Sequence, residues 1–228
     1  IRRYPDSIYV KVDEDVFVPT GWAERMLATY ERYQDRTDLA LITTLIPNNA
    51  YGLHRLLTTF YPEKLPEFER LFGAPPSAAA KGPTWQRPDI AEWATRLFLD
   101  LEAANEEQRR RLAASDQPRW HEFCQYFSIG CICYDYAHVQ RMGGALPPRD
   151  EPDWCAWFEE KKHICVLDQS MVVLHYSFFV QQDWLDRSTL LEDIRARNLP
   201  GTSPWYAAGA RWWRLARQVP RILKRRLA

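Results

Sequence analysis

The chain has 228 residues, with 30 basic and 30 acidic side chains, 46% hydrophobic residues and a mean hydropathy of −0.46. That balance fits one folded domain with a sizeable core, and no apolar run approaches the roughly 20 residues of a membrane-spanning helix. A Gly-rich phosphate loop, a Cys-x-x-Cys pair and a Gly-x-Ser-x-Gly elbow are all missing, which excludes the chemistries built on them.

Residues 8–18, IYVKVDEDVFV, are rich in β-branched side chains and carry acids only at 13–15, which predicts a buried strand with a polar end. Trp22, Met26, Leu27 and Tyr30 then recur at helical spacing over 22–34. LALITTLI (39–46) reads as a second strand, closed by the turn-forming Pro47-Asn48-Asn49. Strand, helix, strand in this order predicts a right-handed parallel crossover.

Residues 51–122 change character, with short helical stretches, a loop rich in Pro, Ala and Gly at 73–88 and a charged helix near 89–113. They read as a helical insertion. The sheet pattern returns in YFSIGCICYD (126–135). A helix follows at 153–162, then strands at 164–167 and 170–176 and an amphipathic helix at 184–197. Cys131 and Cys133 share one face of a strand and read as small core fillers. Five cysteines without a metal or redox spacing fit a reducing compartment, hence the cytoplasm.

The chemistry-bearing residues start with Asp13-Glu14-Asp15. Hard divalent cations take carboxylate oxygens, and in phosphate chemistry the protein often supplies only one or two of them. Alternation along a strand would put Asp13 and Asp15 on one side and Glu14 on the other. A strand's C-terminal end is also where open α/β sheets bind ligands. By themselves the same acids could equally form a solvated strand end or cap the next helix. Asp150-Glu151-Pro152-Asp153 is a second acidic cluster. Asp153 is placed either to act as a base or to cap a helix starting at Trp154.

Four blocks in order carry a family resemblance. YVKVDEDVFVPTGW resembles the Asp-x-Asp segment of GT-A glycosyltransferases. FSIGCICYDYAHVQRMGG resembles the strand and helix that end in their Gly-Gly. Asp150-Glu151 follows Gly143-Gly144 as the family's acidic pair does, and VVLHYSFFVQQDWL resembles the C-terminal strand whose His closes the metal site. The resemblance covers 8–49 and 126–190 and is nearest to family-2-like, inverting members. It implies an α/β, GT-A-like (Rossmann-like) fold with a mainly parallel sheet over 1–204, and the helical insertion at 51–122 has no family counterpart.

The same resemblance implies roles. Asp15 would hold Mn²⁺ or Mg²⁺ directly. Asp13 would bind the donor's ribose or the metal through water, and His175 would be the third contact to metal or diphosphate. Glu151 or Asp150, with Asp153 as rival because Pro152 interrupts the spacing, would be the base. His54, His121, His138 and His163 match nothing in the family and are taken as structural. Pro47-Asn48-Asn49 could touch donor or acceptor, and Trp85, Trp93, Trp120, Trp154 and Trp157 could stack on a sugar, although a turn and core positions are the plainer readings. The implied activity is an inverting hexosyl transfer from a nucleotide-sugar to a glycan or lipid-linked acceptor, as in polysaccharide biosynthesis. In the family a strand and loop that hold the nucleotide base lie well upstream of Asp-x-Asp, and that half is expected outside these residues.

Residues 205–228 carry seven cations and no acid, leaving 23 cations against 30 acids in the rest. Trp212, Leu215, Val219, Ile222 and Leu223 fall on one side of a helix. Arg211, Arg214, Arg217, Arg221, Lys224 and Arg225 fall on the other; Arg226 breaks the pattern, and Pro220 lies inside the stretch. This predicts a basic amphipathic C-terminal helix peripheral to an anionic inner membrane face; its apolar side could alternatively pack on the sheet. No nucleic-acid partner is expected. Two rival readings are a metal-dependent nucleotidyl or phosphate-processing enzyme and a non-catalytic, membrane-associated binding module.

Overall fold

A computed structural model describes residues 7–74, 86–124, 127, 130–141, 151–178 and 180–199. In chain order the elements are β1 (Ile8–Val12), β2 (Val16–Phe17), α1 (Trp22–Tyr33), β3 (Leu39–Leu45) and α2 (Ala50–Arg55). A π-helical turn (Leu56–Phe60) and a short 3₁₀ turn (Pro62–Lys64) lead into α3 (Leu65–Phe72), α4 (Pro88–Leu97) and α5 (Leu101–Ala113). Then come β4 (Trp120–Phe123), β5 (Cys131–Asp135), α6 (Tyr136–Arg141), α7 (Glu151–Lys161), β6 (Ile164–Val172), β7 (Leu174–His175), α8 (Gln182–Leu185) and α9 (Leu190–Asn198).

Five strands form one sheet in the order β1-β5-β3-β6-β4, and β2 and β7 form a separate two-stranded ribbon. Only β3 and β6 pair in parallel; the other three pairings are antiparallel. The fold is therefore mixed α/β, and the mainly parallel sheet expected from the sequence is a mixed one. β1, β3 and β6 do run the same way, but β5 stands between β1 and β3 with opposite direction. The first strand-helix-strand unit thus does not join neighbouring strands.

β3 explains why the sheet is solid. All seven of its residues are buried, because it has a strand on each side and helices over its faces. Its polar side chains are accommodated individually: the Thr43 hydroxyl donates to the Cys131 carbonyl at 2.9 Å. α1 lies on the sheet with Trp22, Met26, Thr29 and Tyr30 inward, a helical stripe. Asn49 caps α2 by accepting from the backbone N–H groups of Tyr51 and Gly52. A β-carbon on Gly52 would run into the Ile46 carbonyl, so only glycine lets α2 close onto the end of β3.

The described helices between residues 51 and 113 pack beside this sheet. Leu53, Leu57, Phe68, Ile90 and Ala94 form a small satellite core. The buried Asn105 of α5 donates to the Val172 carbonyl and accepts from its N–H, both at 2.9 Å. Gln108 donates to the Gln169 carbonyl at 2.8 Å. Two side-chain amides thus take the bonds of β6 beyond the reach of β4, where an unpaired edge would otherwise stand. β4 itself was not legible as a strand.

The segment 8–18 is not one buried strand. β1 is the outermost strand of the sheet order, and Ile8, Val10 and Val12 are each about two-fifths exposed (38%, 39% and 41%). A turn at 13–15 separates it from β2. The strands expected at 164–167 and 170–176 are mainly one strand, β6, and the helix expected at 184–197 is two, α8 and α9. All five cysteines are free and all but Cys124 are buried; burial pushes the Cys131 and Cys133 thiols up to about 12, as suits inert core fillers. The basic stretch 205–228 lies outside the described residues. No helix among the described residues is long and apolar enough to cross a membrane.

Candidate functional site

β1 ends at Val12, and the chain turns at once: the Val16 N–H donates to the Asp13 carbonyl at 3.1 Å. Asp13 and Asp15 therefore sit in a turn, and strand alternation does not set their directions as the sequence reading supposed. Two backbone bonds pin this turn. The Asp13 N–H donates to the Gly130 carbonyl at 2.9 Å, and the Tyr176 N–H donates to the Asp15 carbonyl at 2.8 Å. The ribbon adds a third tie, because Val16 of β2 pairs with His175 of β7.

The consequence is a meeting of distant residues. His175 Nε2 lies 3.3 Å from Asp15 Oδ1, and His175 is nearly buried while Asp15 is about one-third exposed. Burial pushes the Asp15 carboxyl up. The hydrogen bond and charge of His175, helped by the backbone N–H groups of Ser177 and of Asp15 itself, outweigh this and leave it below the ordinary carboxylate range. Asp13 stands on the same side of the turn. A β-carbon on Gly130 would lie 3.0 Å from Asp13 Oδ2 and 3.7 Å from His175 Cδ2. The space left by that missing side chain is where carboxylate and imidazole face each other.

Two polar residues complete the surroundings. Lys11 Nζ donates to Asp13 Oδ1 at 2.6 Å, an ion pair with side-chain exposures of 27% and 36%. Exposed pairs of this kind contribute about 0–1 kcal/mol, so this one is easily exchanged for another partner. Asn48, buried at the end of β3, donates to the His175 carbonyl at 2.7 Å and so anchors β7. Among the described residues its Oδ1 and His175 Nδ1 are buried without a hydrogen bond.

No group of three or more His, Cys, Asp or Glu side chains is arranged to hold a metal ion among the described residues. The pair Asp15–His175 nevertheless fits a partial site. Its 3.3 Å separation is longer than a strong charge-assisted bond. It is close to the roughly 3 Å between neighbouring ligands of an octahedral ion bound at about 2.0–2.1 Å. Small hard cations commonly take only one or two protein carboxylates and leave other positions to water and phosphate. Asp15 and His175 would be the direct contacts, with Asp13 free to join on leaving Lys11.

The second acidic cluster is placed differently from the sequence reading. α7 begins at Glu151, so Asp153 lies inside the first turn and does not cap a helix starting at Trp154. Glu151 and Asp153 are both partly buried there, and Asp150 and Gly143-Gly144 lie outside the described residues. Trp154 is fully buried against Tyr134, and Trp157 packs on His138 and His163. Trp93 packs on Phe68 and Phe72, and Trp120 lies under the guanidinium groups of Arg32 and Arg119. These four are packing residues; Trp85 lies outside the described residues.

Sequence reasoning missed Lys11 and Gly130. Lys11 had a signal, a cation two residues before Asp13 in the sequence, whereas Gly130 had none. Asn48 was weighed as a donor or acceptor contact, and the structure gives it the His175 backbone instead. Comparison with known proteins adds nothing to this geometry: no family model matches the chain, and neither a curated protein nor a solved structure does.

Proposed function

We propose that the chain carries the metal-binding half of a glycosyltransferase site of GT-A type. Such an enzyme transfers a hexosyl group with inversion from a nucleotide-sugar to a hydroxyl of a glycan or lipid-linked acceptor. The supporting observation is the convergence of Asp15 and His175, 160 positions apart in the chain, at one turn with Asp13 beside them. That grouping is what the Asp-x-Asp resemblance implied. A cation bound there, Mn²⁺ or Mg²⁺, would neutralise negative charge on the departing nucleoside diphosphate.

The protein's own part is positioning and proton transfer. Asp15 and His175 would hold the cation, and the cation would supply the positive charge that places the diphosphate. The acceptor oxygen attacks the anomeric carbon as the bond from that carbon to the diphosphate oxygen breaks, and the electron pair stays on the diphosphate. The acceptor proton goes to a carboxylate, Glu151 or Asp150, with Asp153 as rival. On this reading Asp15→Asn and His175→Ala, made in an enzyme that also carries the nucleotide-binding half, abolish Mn²⁺-dependent release of nucleoside diphosphate from a panel of nucleotide-sugars and acceptors while the fold is retained. Losing the positioned base lowers turnover by about 10²–10⁴. Glu151→Gln, Asp150→Asn and Asp153→Asn therefore identify it, and full activity in all three overturns the inverting mechanism. Release without a glycan acceptor would instead favour phosphate processing, and a chain that binds anionic vesicles but turns over no donor would favour the binding module.

A further inference from the structure

We propose that Lys11 is the diphosphate-binding cation of this site, held on Asp13 until a divalent cation takes Asp13 away from it. The inference rests on the reading of the site given above. It adds the residue that recognises the anionic part of the donor.

The argument starts from charge. Asp13, Glu14 and Asp15 put three carboxylates in one turn. A nucleotide-sugar brings two more negative charges on its diphosphate, and cleavage leaves a third there. A single divalent cation does not balance this sum, so a further cation near the turn is needed on electrostatic grounds. Lys11 supplies one: its ammonium is 2.6 Å from Asp13 Oδ1.

Geometry supplies the second part. Lys11 pairs with Ile132 across the β1–β5 ladder, and Gly130 lies two residues before Ile132 in the same segment. The stem of Lys11 is therefore rooted one step below the space over Gly130 in which Asp13 Oδ2 and His175 face each other. Its ammonium reaches the rim of that space. A partly exposed ion pair on a flexible four-carbon stem contributes little stability, and so it yields to a stronger partner for either member. A divalent cation is the stronger partner for Asp13, and a diphosphate is the stronger partner for Lys11. Each exchange assists the other, because a cation on Asp13 repels the ammonium and the diphosphate attracts both.

The test uses the full chain as wild type, Lys11→Gln and Lys11→Arg, with folding checked by circular dichroism. Binding of Mn²⁺ alone is followed by the spin-resonance signal of the free ion. Binding of UDP, GDP and inorganic pyrophosphate is followed by calorimetry with and without Mn²⁺. In Lys11→Gln, Mn²⁺ alone binds as tightly as in wild type or several-fold more tightly, because its competitor is gone. The three diphosphates with Mn²⁺ bind about tenfold more weakly, the size of one lost charge-assisted hydrogen bond. Lys11→Arg stays within about threefold of wild type.

Unchanged diphosphate binding in Lys11→Gln overturns the proposal, and so does weaker binding of Mn²⁺ alone, which would make Lys11 a support of the turn. If wild type binds Mn²⁺ but no diphosphate, the role of Lys11 falls while the cation site stands. If Asp15→Asn binds Mn²⁺ as wild type does, the underlying site reading falls as well.

Discussion

Two carboxylates of this molecule lie near the same sheet and have opposite characters. Asp168, in the middle of β6, is fully buried. It accepts from the Arg119 guanidinium at 2.8 Å, the Thr29 hydroxyl at 2.9 Å, and the Ser170 hydroxyl and N–H at 2.6 and 3.0 Å. Thr29 in turn accepts from the Trp120 indole at 3.1 Å. Asp15, in the turn after β1, is one-third exposed and faces a histidine across 3.3 Å. The first carboxylate is closed by its neighbours and ties α1, β4 and β6 together. The second sits on a turn pinned by its backbone, has His175 and backbone N–H groups as partners, and keeps about a third of its side chain open to solvent. A buried acid with every oxygen occupied serves architecture, and a rim acid on a pinned turn is available for a ligand.

Substitutions sharpen this contrast. At neutral pH Asp168→Ala has the largest expected effect on stability, on the order of 3 kcal/mol, because it strands Thr29, Ser170 and a partly buried guanidinium. For a chain of this size that lowers Tm by roughly 6–12 °C in a thermal melt. Next comes a pH effect in the interior. Burial, helped by the nearby Arg141, pushes His138 down to about 3, against the opposing pull of Asp135. The unfolded chain takes up a proton near 6.5 and the folded one does not. Stability contributed by neutral His138 is thus full above about pH 6.5 and is lost as pH falls toward 3, by up to about 1.4 kcal/mol per pH unit. His138→Phe flattens that part of the stability–pH curve measured by urea titration; an unchanged slope would place the proton uptake elsewhere.

The smallest expected effect on stability belongs to the turn. Asp13→Asn and Asp15→Asn change the unfolding free energy by about 0.5 kcal/mol or less in the case of Asp13 and about 1 kcal/mol for Asp15. Both lose Mn²⁺ binding in the spin-resonance titration. If Asp15→Asn melted as early as Asp168→Ala, the two carboxylates would share a structural role and the contrast would collapse.

How far the sequence carried depended on whether a residue's neighbours were local. The Asp13–Asp15 turn and His175 could be found because each stands next to a hydrophobic run that marks a strand end. Their meeting required the β2–β7 ribbon, whose two-residue strands leave no periodic pattern. β1 was misread as buried because β-branched alternation looks the same on an outer strand as on a central one. β4 was missed because its four residues, Trp-His-Glu-Phe, follow a charged helix and carry two polar side chains. The direction of β5 was not legible at all, since antiparallel and parallel neighbours present similar apolar faces. The acidic residues of α7 were placed by the helix start, which fell three residues earlier than the capping pattern at Asp153 indicated.

Lys11 also matters to how the molecule behaves in a crowded solution. Among the described residues β1 is an outer strand of the sheet order, and its three exposed β-branched side chains give it the apolar character of borders onto which foreign strands add. Lys11 is the single charged residue within that strand. A charge in the middle of such a border penalises stacking of one molecule on the next, since each new strand would have to accommodate an ammonium. Neutralising it with an apolar residue would remove the gatekeeper together with the proposed ligand contact, and clumping at high concentration would then report on the border and not on the turn at Asp13 and Asp15.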